Sequence, residues 1–108
     1  MPDTAITRGQ IWWVDIGLDE NKRFVVVSNN VRNRALRDVV MVRLTTANKP
    51  DIPSIAAFGA GEISQTRCFA VADDVWMIGK EWLRDRVGTL TPKQMERVSQ
   101  TLRVALDL

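Results

Sequence analysis

The chain reads as a mainly β domain completed by one C-terminal α-helix, and three observations carry that prediction. Short runs rich in Val, Ile, Trp and Phe recur along the chain, each bounded by Gly, Pro, Asn, Asp or Ser, as strands joined by turns are. One of them, Phe24-Val25-Val26-Val27, lies between Arg23 and Ser28-Asn29-Asn30; it is uninterrupted and too short for a helix, which predicts a central strand buried on both faces. Only the segment after Leu90 repeats its apolar residues at helical spacing.

Taken in order, Arg8-Gly9-Gln10 leads into Ile11-Trp12-Trp13-Val14-Asp15-Ile16, whose aromatic and β-branched content predicts a first strand. Alternation divides it into Ile11, Trp13 and Asp15 on one face and Trp12, Val14 and Ile16 on the other, and the second set is expected in the core. Gly17 to Lys22 is a polar loop into the central strand, which ends at the turn residues Ser28-Asn29-Asn30. Val31 to Leu36 has room for about one helical turn, and Val39 to Thr46 is a further strand with a polar finish. If that strand and the central one are antiparallel neighbours, the end bearing Thr45 falls beside the end bearing Arg23, which brings a hydroxyl to a guanidinium.

The region from Ala47 to Pro53 is a loop with two prolines, Ser54 to Phe58 a short strand, and Gly59-Ala60-Gly61 a turn. Thr66 to Ala72 is a strand with Asp73-Asp74 at its polar exit, ahead of Val75-Trp76-Met77-Ile78. A helical turn over Lys80 to Asp85 and a strand over Arg86 to Thr89 follow. Thr91 is placed as N-cap of the last helix, with Pro92 at its first position, Gln94 completing a capping box, and Leu90 and Met95 as a hydrophobic staple. Met95, Val98, Leu102 and Ala105 form the stripe that packs on the sheet.

Composition narrows the chemistry. The 108 residues, 45% hydrophobic and 26% charged, suit one globular domain over 1–108 with a core that needs no disulfide or structural metal. The absence of any His removes His-based triads, Cys2His2 zinc fingers and paired-imidazole ribonuclease chemistry together. The single cysteine, Cys68, lies in an apolar segment and reads as a small buried hydrophobe. No stretch is long enough to span a bilayer, and Met1-Pro2-Asp3-Thr4 lacks the basic start and apolar stretch of a signal peptide, so a cytoplasmic protein without cofactor or metal is expected. Net charge is +2, with the basic excess in the first 50 residues, concentrated at Arg32, Arg34, Arg37 and Arg43: a modest footprint for a polyanion.

The order of segments resembles the MazF/PemK family of toxin endoribonucleases over about residues 7 to 108. Arg8-Gly9-Gln10-Ile11-Trp12 stands at the family's Arg-Gly-Asp-hydrophobic-aromatic opening, Arg23 to Asn29 at its Arg-Pro-hydrophobic strand, and Asn33-Arg34 follows. Leu44-Thr45-Thr46 matches its threonine-bearing strand end, Asp73-Asp74 an acidic-polar pair, and Leu90-Thr91-Pro92 the start of its last helix. Two departures stand out. Phe24 occupies the place of the family's proline, and the Gly17 to Lys22 loop is short and lacks the Gly-x-Glu-Gln pattern.

The resemblance implies a small SH3-like antiparallel β-barrel with a C-terminal helix. It implies a homodimeric toxin of a type II toxin-antitoxin pair that cuts single-stranded RNA without metal, by attack of the 2′-hydroxyl on its own phosphate, with a small acidic MazE-like antitoxin as partner. It makes Arg23 and Thr45 the catalytic pair, with Glu20 or Asp19 as candidate base, and Arg8, Ser28, Asn29, Asn33, Arg34, Arg43 and Asp74 as RNA-binding residues. A guanidinium and a hydroxyl suit a crowded anionic transition state, the first through paired hydrogen bonds to phosphate oxygens. Set against this, Thr45 is also an ordinary strand-end residue, Asn29, Asn33 and Arg34 are also turn builders, and the four tryptophans read as core or dimer-interface residues. Two rival functions remain: a CcdB-like inhibitor of DNA gyrase, whose Trp-Gly-Ile ending is replaced here by Ala105-Leu106-Asp107-Leu108, and an RNA-binding barrel without catalysis.

Overall fold

The computed structural model describes residues 5–108; Met1 to Thr4, on which the expectation about a signal peptide rests, lie outside the described residues. Six strands run β1 (Gln10–Val14), β2 (Lys22–Val26), β3 (Asp38–Thr45), β4 (Ile55–Phe58), β5 (Cys68–Gly79) and β6 (Leu83–Thr89). Helix α1 (Asn30–Ala35) joins β2 to β3, and α2 (Pro92–Leu106) ends the fold. Every neighbouring pair is antiparallel, in the order β4-β5-β3-β2-β1-β6, so the predicted central strand is central and β2 and β3 are neighbours as expected.

The sheet is covered on both faces, which is why its middle strands lose alternation. On one face Ile11, Val25, Val42, Leu44, Phe58 and Ala70 form a core closed by Leu90, Met95 and Val98. That one cluster collects residues from β1 to β4, so the sheet curls around it, with α2 as its lid. On the other face Trp12, Val14, Phe24, Val26, Val39, Met41 and Ile78 form a second core. The expectation for β1 is therefore corrected at Ile11, which is buried under α2 while Trp12 and Val14 are buried on the opposite side. Phe24 is fully buried in the second core and meets the Trp76 ring edge-on at 5.6 Å, so the residue that replaces the family's proline has a packing role of its own.

Two further expectations change. Asp73-Asp74 is not a strand exit: β5 is one strand of 12 residues, and its pairing with β3 jumps from Val42↔Val75 to Arg43↔Val71. Ala72 to Asp74 form the resulting bulge, held by the Ser54 hydroxyl donating to Asp73 at 2.6 Å. The helical turn after Gly79 covers only Lys80–Trp82, because pairing with β1 already begins at Leu83.

Helix α2 starts as the sequence predicts. The Thr91 hydroxyl accepts from the Gln94 N–H at 3.2 Å, and the Gln94 side chain accepts from the Thr91 N–H at 2.9 Å. Gly9, at φ +96° where a side chain would be strained, lets the chain bond β2 and the approach to α2 together, donating to Val26 and accepting from Leu90. Among the described residues no helix is long and apolar enough to cross a membrane.

Candidate active site

Register decides where the predicted pair sits. Arg23 is the Cα partner of Trp13 on β1 and of Leu44 on β3, so Thr45 lies one residue past it on the neighbouring strand. Alternation sends Arg23 to the face of Trp13 and Leu44, and Thr45 to the face of Arg43 and Phe24. No hydrogen bond joins the two side chains among the described residues; they stand on the rim of one cleft of about 190 Å³ at the start of β2 and the end of β3. Glu20 and Asn21 of the loop and Lys22 at the first position of β2 form one side, and Trp13, Arg43 and Thr46 complete it.

The charges in this cleft are unevenly matched. Lys22 is paired with Glu20 at 2.7 Å, and the hydrogen bond from Lys22 holds the Glu20 carboxyl below its usual range. Neither Arg23 nor Arg43 has a carboxylate partner among the described residues, and the buried Nε of Arg43 has no hydrogen-bond partner. The Arg23 guanidinium lies 5.7 Å from the centre of the Trp13 ring, a cation-π distance. The Thr45 hydroxyl oxygen accepts from the Ala47 N–H at 3.1 Å, which orients it and leaves its own proton available to a ligand. Burial pushes the Cys68 thiol up, with Arg23's positive charge opposing, which agrees with the reading of Cys68 as an inert core residue.

Of the residues singled out in the sequence, the cleft brings together Arg23, Thr45, Arg43 and Glu20. Asp19 lies on the outer side of the same loop. Arg8, Ser28 and Asn29 line another groove at the far end of β2, roughly 16 Å away at strand rise. There the Arg8 guanidinium donates to the Val27 carbonyl at 3.1 Å and the Ser99 hydroxyl at 2.7 Å. Ser28 and Asn33 are buried and hydrogen-bonded to one another, Asn33 also donates to the Ser28 carbonyl, and the Ser28 hydroxyl accepts from the Val40 N–H at 3.0 Å. Asn29 caps α1, accepting from the Arg32 N–H at 2.9 Å, and Arg34 is exposed on that helix. Asp74 sits in the β5 bulge and accepts from the Trp76 indole at 2.6 Å. Sequence reasoning missed Trp13, Lys22 and Thr46 as cleft residues; the register with Arg23 was the signal for Trp13, and it needs the strand pairing to be read.

The chain is similar to known proteins over nearly its whole length. Residues 7–106 match the model of the PemK-like, MazF-like toxin of type II toxin-antitoxin system. The chain is 39% identical over 104 residues to Endoribonuclease MazF1 of Mycobacterium bovis and to Endoribonuclease MazF4 of Mycobacterium tuberculosis, covering 96% of this chain and 95% of each relative. A solved mycobacterial endoribonuclease in complex with its cognate antitoxin is 38% identical and superposes with a TM-score of 0.86 over 96% of this chain and 97% of that one. The MazE-MazF structure from Deinococcus radiodurans, 15% identical with a TM-score of 0.80 over 98% of this chain and 99% of that one, shares the fold. The chain belongs to the PemK-like, MazF-like toxin family of type II toxin-antitoxin systems, the family of the endoribonucleases that it matches along nearly its whole length.

Proposed function

We propose that the protein is the toxin of such a pair and acts as a sequence-specific endoribonuclease on single-stranded RNA, without a metal ion, so stopping translation and growth. The observation that carries this reading is the cleft at the start of β2, where the unpaired Arg23 guanidinium and the oriented Thr45 hydroxyl share one rim. An RNA phosphate placed there receives paired hydrogen bonds from Arg23 and one from Thr45, both strengthening as negative charge builds on the oxygens. The 2′-oxygen attacks the adjacent phosphorus, the bond to the 5′-oxygen breaks, and the products carry a 2′,3′-cyclic phosphate and a 5′-hydroxyl. The 2′-hydroxyl proton passes to a base, for which Glu20 is the carboxylate on the cleft, and water supplies the proton to the leaving 5′-oxygen. Arginine is kept to electrostatic work because it does not give up its proton in proteins.

The remaining parts of the reading have their own support. An exposed apolar patch of Trp76, Met77 and Trp82 borders a 370 Å³ pocket and suits the self-contact of a homodimer. A relative solved as an endoribonuclease in complex with its cognate antitoxin supports an antitoxin as partner; that this antitoxin is small, acidic and MazE-like, and that the pair works in the cytoplasm, belongs to the same proposal. The test is end-mapping of a long single-stranded RNA digested by purified protein, with and without EDTA. Cleavage at a recurring short sequence, leaving 2′,3′-cyclic phosphate and 5′-hydroxyl ends in both conditions, is expected. RNA that is bound but stays intact would replace the nuclease with a binding barrel.

A further inference from the structure

Trp13 breaks the pattern of the strand that carries it. Its neighbours Gln10, Ile11, Trp12 and Val14 are at most 6% exposed, whereas Trp13 is 39% exposed. The other tryptophans have occupations away from the cleft: Trp12 is buried with its indole N–H on Gln10, Trp76 meets Phe24 and Asp74, and Trp82 lies beside Arg84. Trp13 instead faces the cleft on the same side as Arg23, its Cα partner, with the guanidinium 5.7 Å from the ring centre. A ribonucleotide carries its phosphate and its base on one sugar, and the cleft presents a phosphate ligand and an aromatic face as neighbours.

We propose that Trp13 is the stacking platform for one nucleobase flanking the phosphate that Arg23 holds. This rests on reading the cleft as the site of RNA cleavage. A π-face accepts any base, so Trp13 contributes affinity and alignment, while the choice of base falls to polar groups around it. The stacked base also keeps the sugar in line, fixing the 2′-oxygen relative to its phosphorus.

The experiment uses an oligonucleotide around the mapped cleavage site, made uncleavable by 2′-deoxy substitution at the scissile position, for binding, and its all-ribo form for kinetics. Trp13→Ala is expected to raise Kd and KM about tenfold or more with kcat changed only a few-fold, and Trp13→Phe to stay within about threefold of wild type. Trp13→Leu keeps the apolar bulk without the ring and is expected to bind as weakly as Trp13→Ala. An abasic nucleotide on one side of the scissile phosphate should weaken wild-type binding by a similar factor and cost Trp13→Leu nothing further. The proposal is overturned if Kd and KM hold while kcat falls, since Trp13 would then only position Arg23, or if the abasic loss is the same in both proteins. A wild-type protein that cuts no RNA would sink the parent reading instead.

Discussion

The two ends of β2 carry polar side chains of similar kinds and use them in opposite ways. At the Ser28 end the groups close on themselves: Ser28 and Asn33 bond each other and the β3 backbone, Asn29 caps α1, and Arg8 is tied to Val27 and Ser99. At the Arg23 end they stay open, with two arginines lacking carboxylate partners and a hydroxyl oriented by the backbone at the lip of a cleft. Buried polar groups with satisfied bonds hold a fold, while unmatched charges in a concave site await a ligand. The difference separates groups bonded within the fold from groups left open to a ligand, at the two ends of one five-residue strand and the turn that follows it.

The sharpest way to break that comparison is at Arg23. Arg23→Ala is expected to slow RNA cleavage about 10²- to 10³-fold, the range seen when one transition-state hydrogen-bond donor is lost. Its thermal midpoint should stay near wild type, because the side chain supports no internal hydrogen bond among the described residues. Undiminished cleavage would move the active site elsewhere. Asn33→Ala is the mirror experiment. It leaves the Ser28 hydroxyl and carbonyl without their buried partner, at a cost of about 2 to 3 kcal/mol of stability. The midpoint should fall by roughly 10 °C or more, at about 4–8 °C per kcal/mol for a domain near this size. Cleavage per folded molecule should be unchanged, and a selective loss of RNA binding would place Asn33 among the functional residues after all.

The contrast also explains what was legible in the sequence. The central strand, the loop before it and the capped last helix are local matters of periodicity, turn residues and caps, and they fold as read to within a residue: the strand takes in Lys22 from the expected loop and ends at Val26, and the helix runs from Pro92 behind its Thr91 cap. Alternation puts Ile11 outside the core because it assumes one buried face, whereas this sheet has two cores. Asp73-Asp74 reads as the end of a strand because a charge pair in an apolar run signals exit, and the partner Ser54 and the skipped register disclose a bulge. At the site, residue type could nominate Arg23, Thr45, Ser28 and Asn33 alike. What divides them is whether a neighbour satisfies them, and those neighbours, from Val40 to Ser99, come from remote sequence.

Thr45→Val removes the hydroxyl while keeping the shape, and a lost hydrogen bond of about 1 kcal/mol corresponds to roughly five- to tenfold slower cleavage. Thr45→Ser should restore most of that rate. If Thr45→Val cut RNA as fast as wild type, the Thr45 hydroxyl would belong with Ser28 as a backbone-holding group, and the open end of β2 would rest on its arginines alone.

The smallest expected effect concerns the ion pair within the open end. Glu20 is highly exposed and its pKa is lowered, first by the hydrogen bond from Lys22 and then by that residue's charge. For a carboxyl lowered on folding, the stabilising share is present above the unfolded-state pKa and is lost as pH falls through the folded-state one; at this exposure that share is too small to measure. The rate is more sensitive. If Glu20 accepts the 2′-hydroxyl proton, cleavage should decline on the acid side as Glu20 becomes protonated, and Lys22→Ala, which frees the carboxyl to rise toward its ordinary pKa, should move that decline to higher pH. Glu20→Gln should abolish the acid limb and lower the plateau. A pH-rate profile with the same acid limb in all three proteins would show that Glu20 serves only Lys22, making this ion pair a piece of scaffold set inside the reactive end.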